Sequence, residues 1–131
     1  MNLDILDSVR FDEAGLVPCV AQDAESGEVL MVAYMNRASL QETLEKGLAA
    51  YWSRTRKRHW VKGETSGHTQ EVREARFDCD RDCVLIRVRQ NGGAACHTGM
   101  RSCFSWKWTP EGIVEDGHKV FDPDRVYPAK P

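Results

Sequence analysis

Asp78-Cys79-Asp80-Arg81-Asp82-Cys83-Val84-Leu85-Ile86-Arg87-Val88-Arg89-Gln90 is the stretch whose reading decides the fold. Val84, Ile86 and Val88 alternate with Leu85, Arg87 and Arg89, the period-two pattern of a β-strand. If the strand begins at Asp78, then Asp78, Asp80 and Asp82 share one face and Cys79 points to the other. Three carboxylates on one face repel each other unless a cation offsets their charge. Hard oxygen donors suit Mg²⁺ or Ca²⁺, and thiolates suit Zn²⁺. The stretch therefore offers two metal sites, or one metal site and one interface. A solvated turn is the plain alternative. An EF-hand loop is excluded, because Cys83 stands where that loop needs glycine and Arg89 where it needs glutamate.

Downstream lie Gln90-Asn91-Gly92-Gly93-Ala94-Ala95-Cys96-His97-Thr98-Gly99 and Arg101-Ser102-Cys103. Cys96 and Cys103 are too far apart in sequence for a CxxC zinc knuckle. A turn at Thr98-Gly99 would fold the two thiols together, and the glycines before Cys96 permit the tight backbone this needs.

Upstream, Leu16 to Gln22 reads as a strand, with Pro18 placing it at an edge or a strand start. Cys19 within it is expected to be a small buried hydrophobe. Asp23 to Gly27 is a turn by composition, and Glu28 to Met35 is the partner strand of a hairpin. Asn36 is a good N-cap, and Leu40, Leu44 and Leu48 mark one face of a helix over about 37–46. Gly47 ends that helix. Leu3, Ile5, Leu6 and Val9 suggest a short amphipathic turn or helix near the N-terminus. Ala49 to Ser53 opens another strand. Arg54, Arg56, Lys57, Arg58 and His59 then form a basic run between Trp52 and Trp60, either a solvated strand or loop or a phosphate grip.

Lys62 to Gly67 is a loop able to present N–H groups and a hydroxyl to a phosphate. His68 is expected to be a loop residue with no chemical task. Glu71 to Phe77 leads into the central strand. Phe104 to Thr109 is a strand with one aromatic face, Trp106 and Trp108, expected in the core or at a dimer interface. Cys83 is expected in the core. Gly112 to Pro131 reads as a short strand and a loosely packed tail. The fold class is α+β, mostly antiparallel strand with one clear helix.

At 131 residues the chain is long enough for one domain with its own core. Its net charge of −2 argues against a general polyanion binder. The acidic N-terminus lacks the basic region of a signal peptide, and no apolar run is long enough to span a membrane. The five cysteines are thus expected to be reduced, in a cytoplasm, and available as ligands.

The acidic string, the Gln90-Asn91-Gly92 string, the string Ala95-Cys96-His97-Thr98-Gly99-x-x-Ser102-Cys103-Phe104 and the upstream string Trp60-Val61-Lys62-Gly63-Glu64-Thr65-Ser66-Gly67 together resemble the phosphoribosyl-AMP cyclohydrolases of histidine biosynthesis. The resemblance runs from about Val17 to Trp108, within a single domain over 1–131 whose residues 109–131 are a short C-terminal extension. Members of that family are often fused to a phosphoribosyl-ATP pyrophosphohydrolase, and at its length this chain is not expected to contain that domain. It implies an enzyme of the third step of the pathway, which adds water at C6 of the adenine ring of phosphoribosyl-AMP and breaks the N1–C6 bond, giving the formimino aminoimidazole carboxamide ribonucleotide.

The resemblance also implies an intertwined homodimer with a shared metal site. One Zn²⁺ per subunit would be held by Cys96, Cys103 and Cys79 of the partner subunit, and would activate water near neutral pH. Asp78, Asp80 and Asp82 match the family's Mg²⁺ ligands. His97, beside a zinc ligand, is the expected general acid–base, since imidazoles titrate near neutrality. Lys62, Glu64, Ser66, Gly67 and Arg54 are the expected substrate-binding residues. No nucleic acid or membrane partner is expected.

A zinc nucleobase deaminase would also hydrate C6 of a purine, but its His-x-Glu and Pro-Cys-x-x-Cys strings are missing. A structural zinc module binding nucleotide or RNA through the basic run would need a closed four-ligand site, whereas the resemblance supplies three cysteines and an open position.

Overall fold

The computed structural model describes residues 3–122. The tail expected beyond Asp122 lies outside the described residues. Among the described residues, eight strands and one α-helix give an α+β fold. The core is a four-stranded sheet of β1 (Val17–Asp23), β2 (Val29–Met35), β5 (Gln70–Phe77) and β6 (Val84–Gln90), in the order β2-β1-β6-β5. β1–β2 and β5–β6 are antiparallel hairpins, and a parallel β1–β6 pairing joins them.

Alternation places the side chains of the central strands. Val17, Cys19 and Ala21 of β1 and Val84, Ile86 and Val88 of β6 are all fully buried, while their neighbours are partly exposed. Pro18 sits inside β1 with partners on both sides of that strand nearby, Tyr34 on β2 and the β6 pairing that starts at Cys19. It is the second residue of the strand, where the missing N–H costs least.

Asn36 caps the helix α1 (Arg37–Lys46) with a reciprocal capping box: its side chain accepts from Ser39 N at 2.8 Å, and Asn36 N donates to Ser39 Oγ at 2.9 Å. Gly47 closes it at φ 72°. The helix buries Leu40, Ser39 and Thr43, and burying Leu40 alone stabilises by roughly 1.5–3 kcal/mol. Leu48 does not extend the stripe. It lies past the helix, is 37 % exposed, and bridges to Glu71, because Gly47 has already turned the chain. Thr43 Oγ1 accepts from Ala50 N at 2.9 Å, tying α1 to the hairpin of β3 (Ala50–Ser53) and β4 (Arg58–Val61).

The strand does not begin at Asp78; residues 78–83 form the turn between β5 and β6. Trp106 and Trp108 do not enter this chain's core. They lie on β7 (Trp106–Thr109), paired with β8 (Gly112–Glu115), and are 64 % and 74 % exposed.

Candidate active site

The acidic turn is built locally. Asp78 carboxylate accepts from Asp82 N at 2.9 Å and from Cys83 N at 3.1 Å. Arg81 takes the left-handed region, φ 59°, and its carbonyl accepts from Arg10 N at 2.8 Å. The turn folds Asp78, Asp80 and Asp82 together, so that one ligand atom of each lies within 4.8 Å of the others. Turn geometry, not strand alternation, makes this cluster. Its members are exposed, and hydrogen bonding to Asp78 and then Asp80 pushes Asp82 up to about 6. For Asp78 desolvation is the largest single influence and works upward, but the hydrogen bonds from Asp82, Cys83 and Asp80 together outweigh it and hold the carboxyl below its usual range. Such a group titrates as a unit. Cys79 is exposed on this turn. Cys83 is half-buried at its end rather than in the core, because β6 starts only at Val84.

The thiol turn is built by tertiary contacts. The turn expected at Thr98-Gly99 is present: Cys96 N donates to Met100 O at 3.1 Å, and Gly99 N to Cys96 O at 3.0 Å. Gly99 is required there, since its φ is 91° and a Cβ would stand 2.0 Å from Phe121 O. Cys103 N donates to Leu30 O at 2.7 Å and Ser102 Oγ to Val29 O at 2.7 Å, which pins the second thiol to β2. The two thiols come within hydrogen-bonding reach.

Cys103 touches solvent, yet desolvation of its sulfur, followed by the charge of Cys96, pushes it up to about 12 against the pull of Lys62. Lys62 is buried, with its ammonium donating to Ala95 O. Burial lowers its pKa, while the nearby thiols Cys103 and Cys96 work upward. Two soft donors beside a buried cation suit a thiolate metal such as Zn²⁺, whose binding expels the thiol protons. His97 is exposed on the same turn.

The remaining candidates are spread out. Glu64 is exposed and pairs with Arg58 at 3.1 Å. Ser66 Oγ accepts from His68 N at 3.2 Å, and Gly67 holds φ 81° in the same loop. Arg54 stands 3.9 Å over the Tyr34 ring, at the exposed turn of the β3–β4 hairpin. The basic run therefore reads as a solvated hairpin tip and the start of β4.

Sequence reasoning missed a buried polar chain behind the thiol turn. Tyr51 Oη donates to Gln70 Oε1 at 2.6 Å, Gln70 Nε2 to Gln90 Oε1 at 2.9 Å, and Gln90 Nε2 to His68 O at 2.9 Å. Gln70 is fully buried and Gln90 nearly so. The available signal was a glutamine at each chain end of the β5–β6 hairpin, Gln70 opening β5 and Gln90 closing β6.

The family model of phosphoribosyl-AMP cyclohydrolase matches residues 31–105, a span that holds both turns. The chain belongs to the phosphoribosyl-AMP cyclohydrolase family. It is accordingly a hydrolase. A phosphoribosyl-AMP cyclohydrolase of Salinibacter ruber is 57 % identical over 97 % of this chain and 99 % of its own length. One of Geotalea uraniireducens is 58 % identical over 86 % of this chain and 90 % of its own. One of Neisseria gonorrhoeae is 50 % identical over 92 % and 97 %. Within this cyclohydrolase-family chain, among the described residues, only Asp78, Asp80 and Asp82 form a group of three donors able to hold a metal.

Proposed function

We propose that the protein opens the adenine ring of phosphoribosyl-AMP at the N1–C6 bond, in histidine biosynthesis, with Zn²⁺ on Cys96, Cys103 and Cys79 of the partner subunit, and with Mg²⁺ on Asp78, Asp80 and Asp82. The observation that carries this reading is the position of the two turns at opposite ends of β6. Cys103 hangs from Leu30, near the end of β6 that pairs with Asp23, whereas Phe77 and Cys19 pair with Val84 at the other end. At about 3.3 Å per strand residue the separation is on the order of 15 Å, far beyond a zinc–sulfur bond of about 2.3 Å. A third thiol would then come from a second copy, with a homodimer bringing one chain's acidic turn to the other's thiol pair.

When bound, zinc acidifies water to a pKa of about 7 and so provides a nucleophile at neutral pH. The chain's own groups do the rest. Lys62 balances the charge of the thiolates from below. His97 imidazole takes a proton from the attacking water and returns it to N1 as the N1–C6 bond breaks. Asp78, Asp80 and Asp82 would hold Mg²⁺, which would help bind the substrate's phosphate. Lys62 stands near the thiols, Glu64, Ser66 and Gly67 follow it in the same loop and would meet the substrate there, and Arg54 offers a further cation to a phosphate. A cytoplasmic setting keeps the five free thiols reduced. No helix among the described residues is long and apolar enough to cross a membrane.

The test is turnover of phosphoribosyl-AMP by purified protein, followed by ultraviolet absorbance, with and without a zinc chelator. Chelator-sensitive ring opening is expected. Absence of turnover in metal-loaded, dimeric protein would overturn the assignment.

A further inference from the structure

We infer that His68 is a positioning residue: it locks the loop that carries Cys96 onto the Lys62–Gly67 loop and so sets where the first thiol stands. The inference rests on the reading of Cys96 as a metal ligand. It comes from packing on both sides of one side chain that the proposed chemistry does not use.

On one side is the Gln90–Ala95 loop. Gly92 lies flat against the imidazole, and a Cβ there would stand 2.7 Å from Cε1 and Nδ1 and 2.8 Å from Cγ. His68 Nδ1 lies 3.3 Å from Ala94 O, which can only accept, so Nδ1–H donates. Gln90 Nε2 donates to His68 O at 2.9 Å, anchoring the residue to the buried Tyr51–Gln70–Gln90 chain. Asn91 binds Thr69 twice, N to Thr69 O at 2.9 Å and Nδ2 to Thr69 Oγ1 at 2.8 Å. On the other side is the Lys62–Gly67 loop. A Cβ on Gly63 would stand 2.3 Å from His68 C and 2.4 Å from Thr69 N. The Phe121 ring closes the cage edge-on, with centroids 4.8 Å apart.

Two glycines are thus the space that His68 fills, at φ 82° for Gly63 and 76° for Gly92. Among the described residues, the imidazole's polar bond goes to the carbonyl two residues before Cys96. Lys62 holds the next carbonyl, Ala95 O. Adjacent carbonyls gripped from one loop fix the direction in which the chain leaves towards Cys96. Outer partners of this kind orient metal ligands, and losing one costs about 10- to 100-fold in metal affinity.

The experiment measures zinc loss to a chelator from the zinc-loaded dimer, together with kcat, KM and Tm, for wild type, His68→Leu, His68→Asn, Gly92→Ala and Cys96→Ser. His68→Leu keeps bulk but has no donor, and zinc should leave about 10- to 100-fold faster, with kcat falling more than KM rises. His68→Asn places its amide nitrogen where Nδ1 was and should recover most of the zinc retention. Gly92→Ala displaces the ring without removing it and should match His68→Leu in direction, so a His68→Leu chain that does not fold leaves the inference testable. Wild-type zinc retention in both His68→Leu and Gly92→Ala, with only Tm lowered, would overturn it and leave the metal reading standing. His68→Asn as impaired as His68→Leu would overturn the role given to the Ala94 bond. Undiminished zinc in Cys96→Ser would remove the ligand itself, and with it both readings.

Discussion

The acidic turn and the thiol turn sit at opposite ends of one strand, and they are built in opposite ways. Residues 78–83 make their own structure: Asp78 caps the turn from within, and Arg10 N reaches it from elsewhere in the chain, donating to Arg81 O. Residues 94–103 hang from elsewhere, through Lys62, Leu30, Val29, His68 and the Tyr51–Gln70–Gln90 chain. A hard-cation site tolerates exposure, because water completes the coordination of Mg²⁺. A thiolate site needs its donors held close and its charge balanced, and only packing does that. The acidic turn should therefore respond to local changes alone, and the thiol turn to changes far away in sequence.

The largest effect should follow removal of a thiol. Cys96→Ser or Cys103→Ser should abolish zinc binding and cut turnover by more than about 100-fold, since even an outer partner is worth 10- to 100-fold. Metal content and ring-opening rate check this. Cys19→Ala, fully buried in β1, should keep zinc and turnover; a zinc-free Cys19→Ala would mean the thiols are divided wrongly.

Gly63→Ala breaks the contrast from a distance. The new Cβ meets backbone of His68 at 2.3 Å in a left-handed conformation, a cost of about 3 kcal/mol. Thermal unfolding should show the loss, and zinc affinity should fall while Mg²⁺ affinity holds. Equal loss at both sites would erase the distinction between them. Asp80→Asn is the reverse case: Mg²⁺ affinity should drop at least about tenfold, with zinc content unchanged in the same sample.

The pH dependence sharpens the comparison further. Asp82 is raised to about 6, so protons compete with the cation, and Mg²⁺ affinity should decline as pH falls through about 6. In metal-free protein the sign is opposite. The folded chain holds that proton more tightly than the unfolded chain, so this contribution to stability is present below the unfolded carboxylate pKa and is lost as pH rises through 6. Titration of Mg²⁺ affinity and of Tm between pH 4.5 and 7 (a range chosen to bracket the raised value) reads both. The smallest effect is Asn36→Ala, which removes the helix cap for about 1 kcal/mol and should leave both metals bound.

Much of this was legible in the residues. Alternation in Val84-Leu85-Ile86-Arg87-Val88 gave β6, and Asn36, Leu40 and Gly47 gave α1 to the residue, because both patterns are short-range and their caps are chemical. The same alternation does not run back to Asp78, because residues 78–83 form a turn. Its three aspartates look identical on a strand and on a turn, and only the hydrogen bonds from Asp82 N and Cys83 N tell the two apart. The aromatic pair Trp106 and Trp108 has the period of a strand but nothing in one chain to cover it. His68 gave no signal at all, since its partners Gly63, Gly92, Ala94 and Phe121 acquire meaning only once they meet.

By itself, then, the sequence determined the donor types and the local elements: carboxylates in one turn, thiols in another, a capped helix, and strands with one apolar face. These follow from side-chain chemistry and from backbone periods of a few residues. Tertiary structure alone decided that Cys96 and Cys103 meet over the buried ammonium of Lys62, that Cys79 lies far from them at the other end of β6, and that His68 bolts two loops together. Those arrangements depend on strand order and on contacts between residues distant in the chain, which no local pattern encodes.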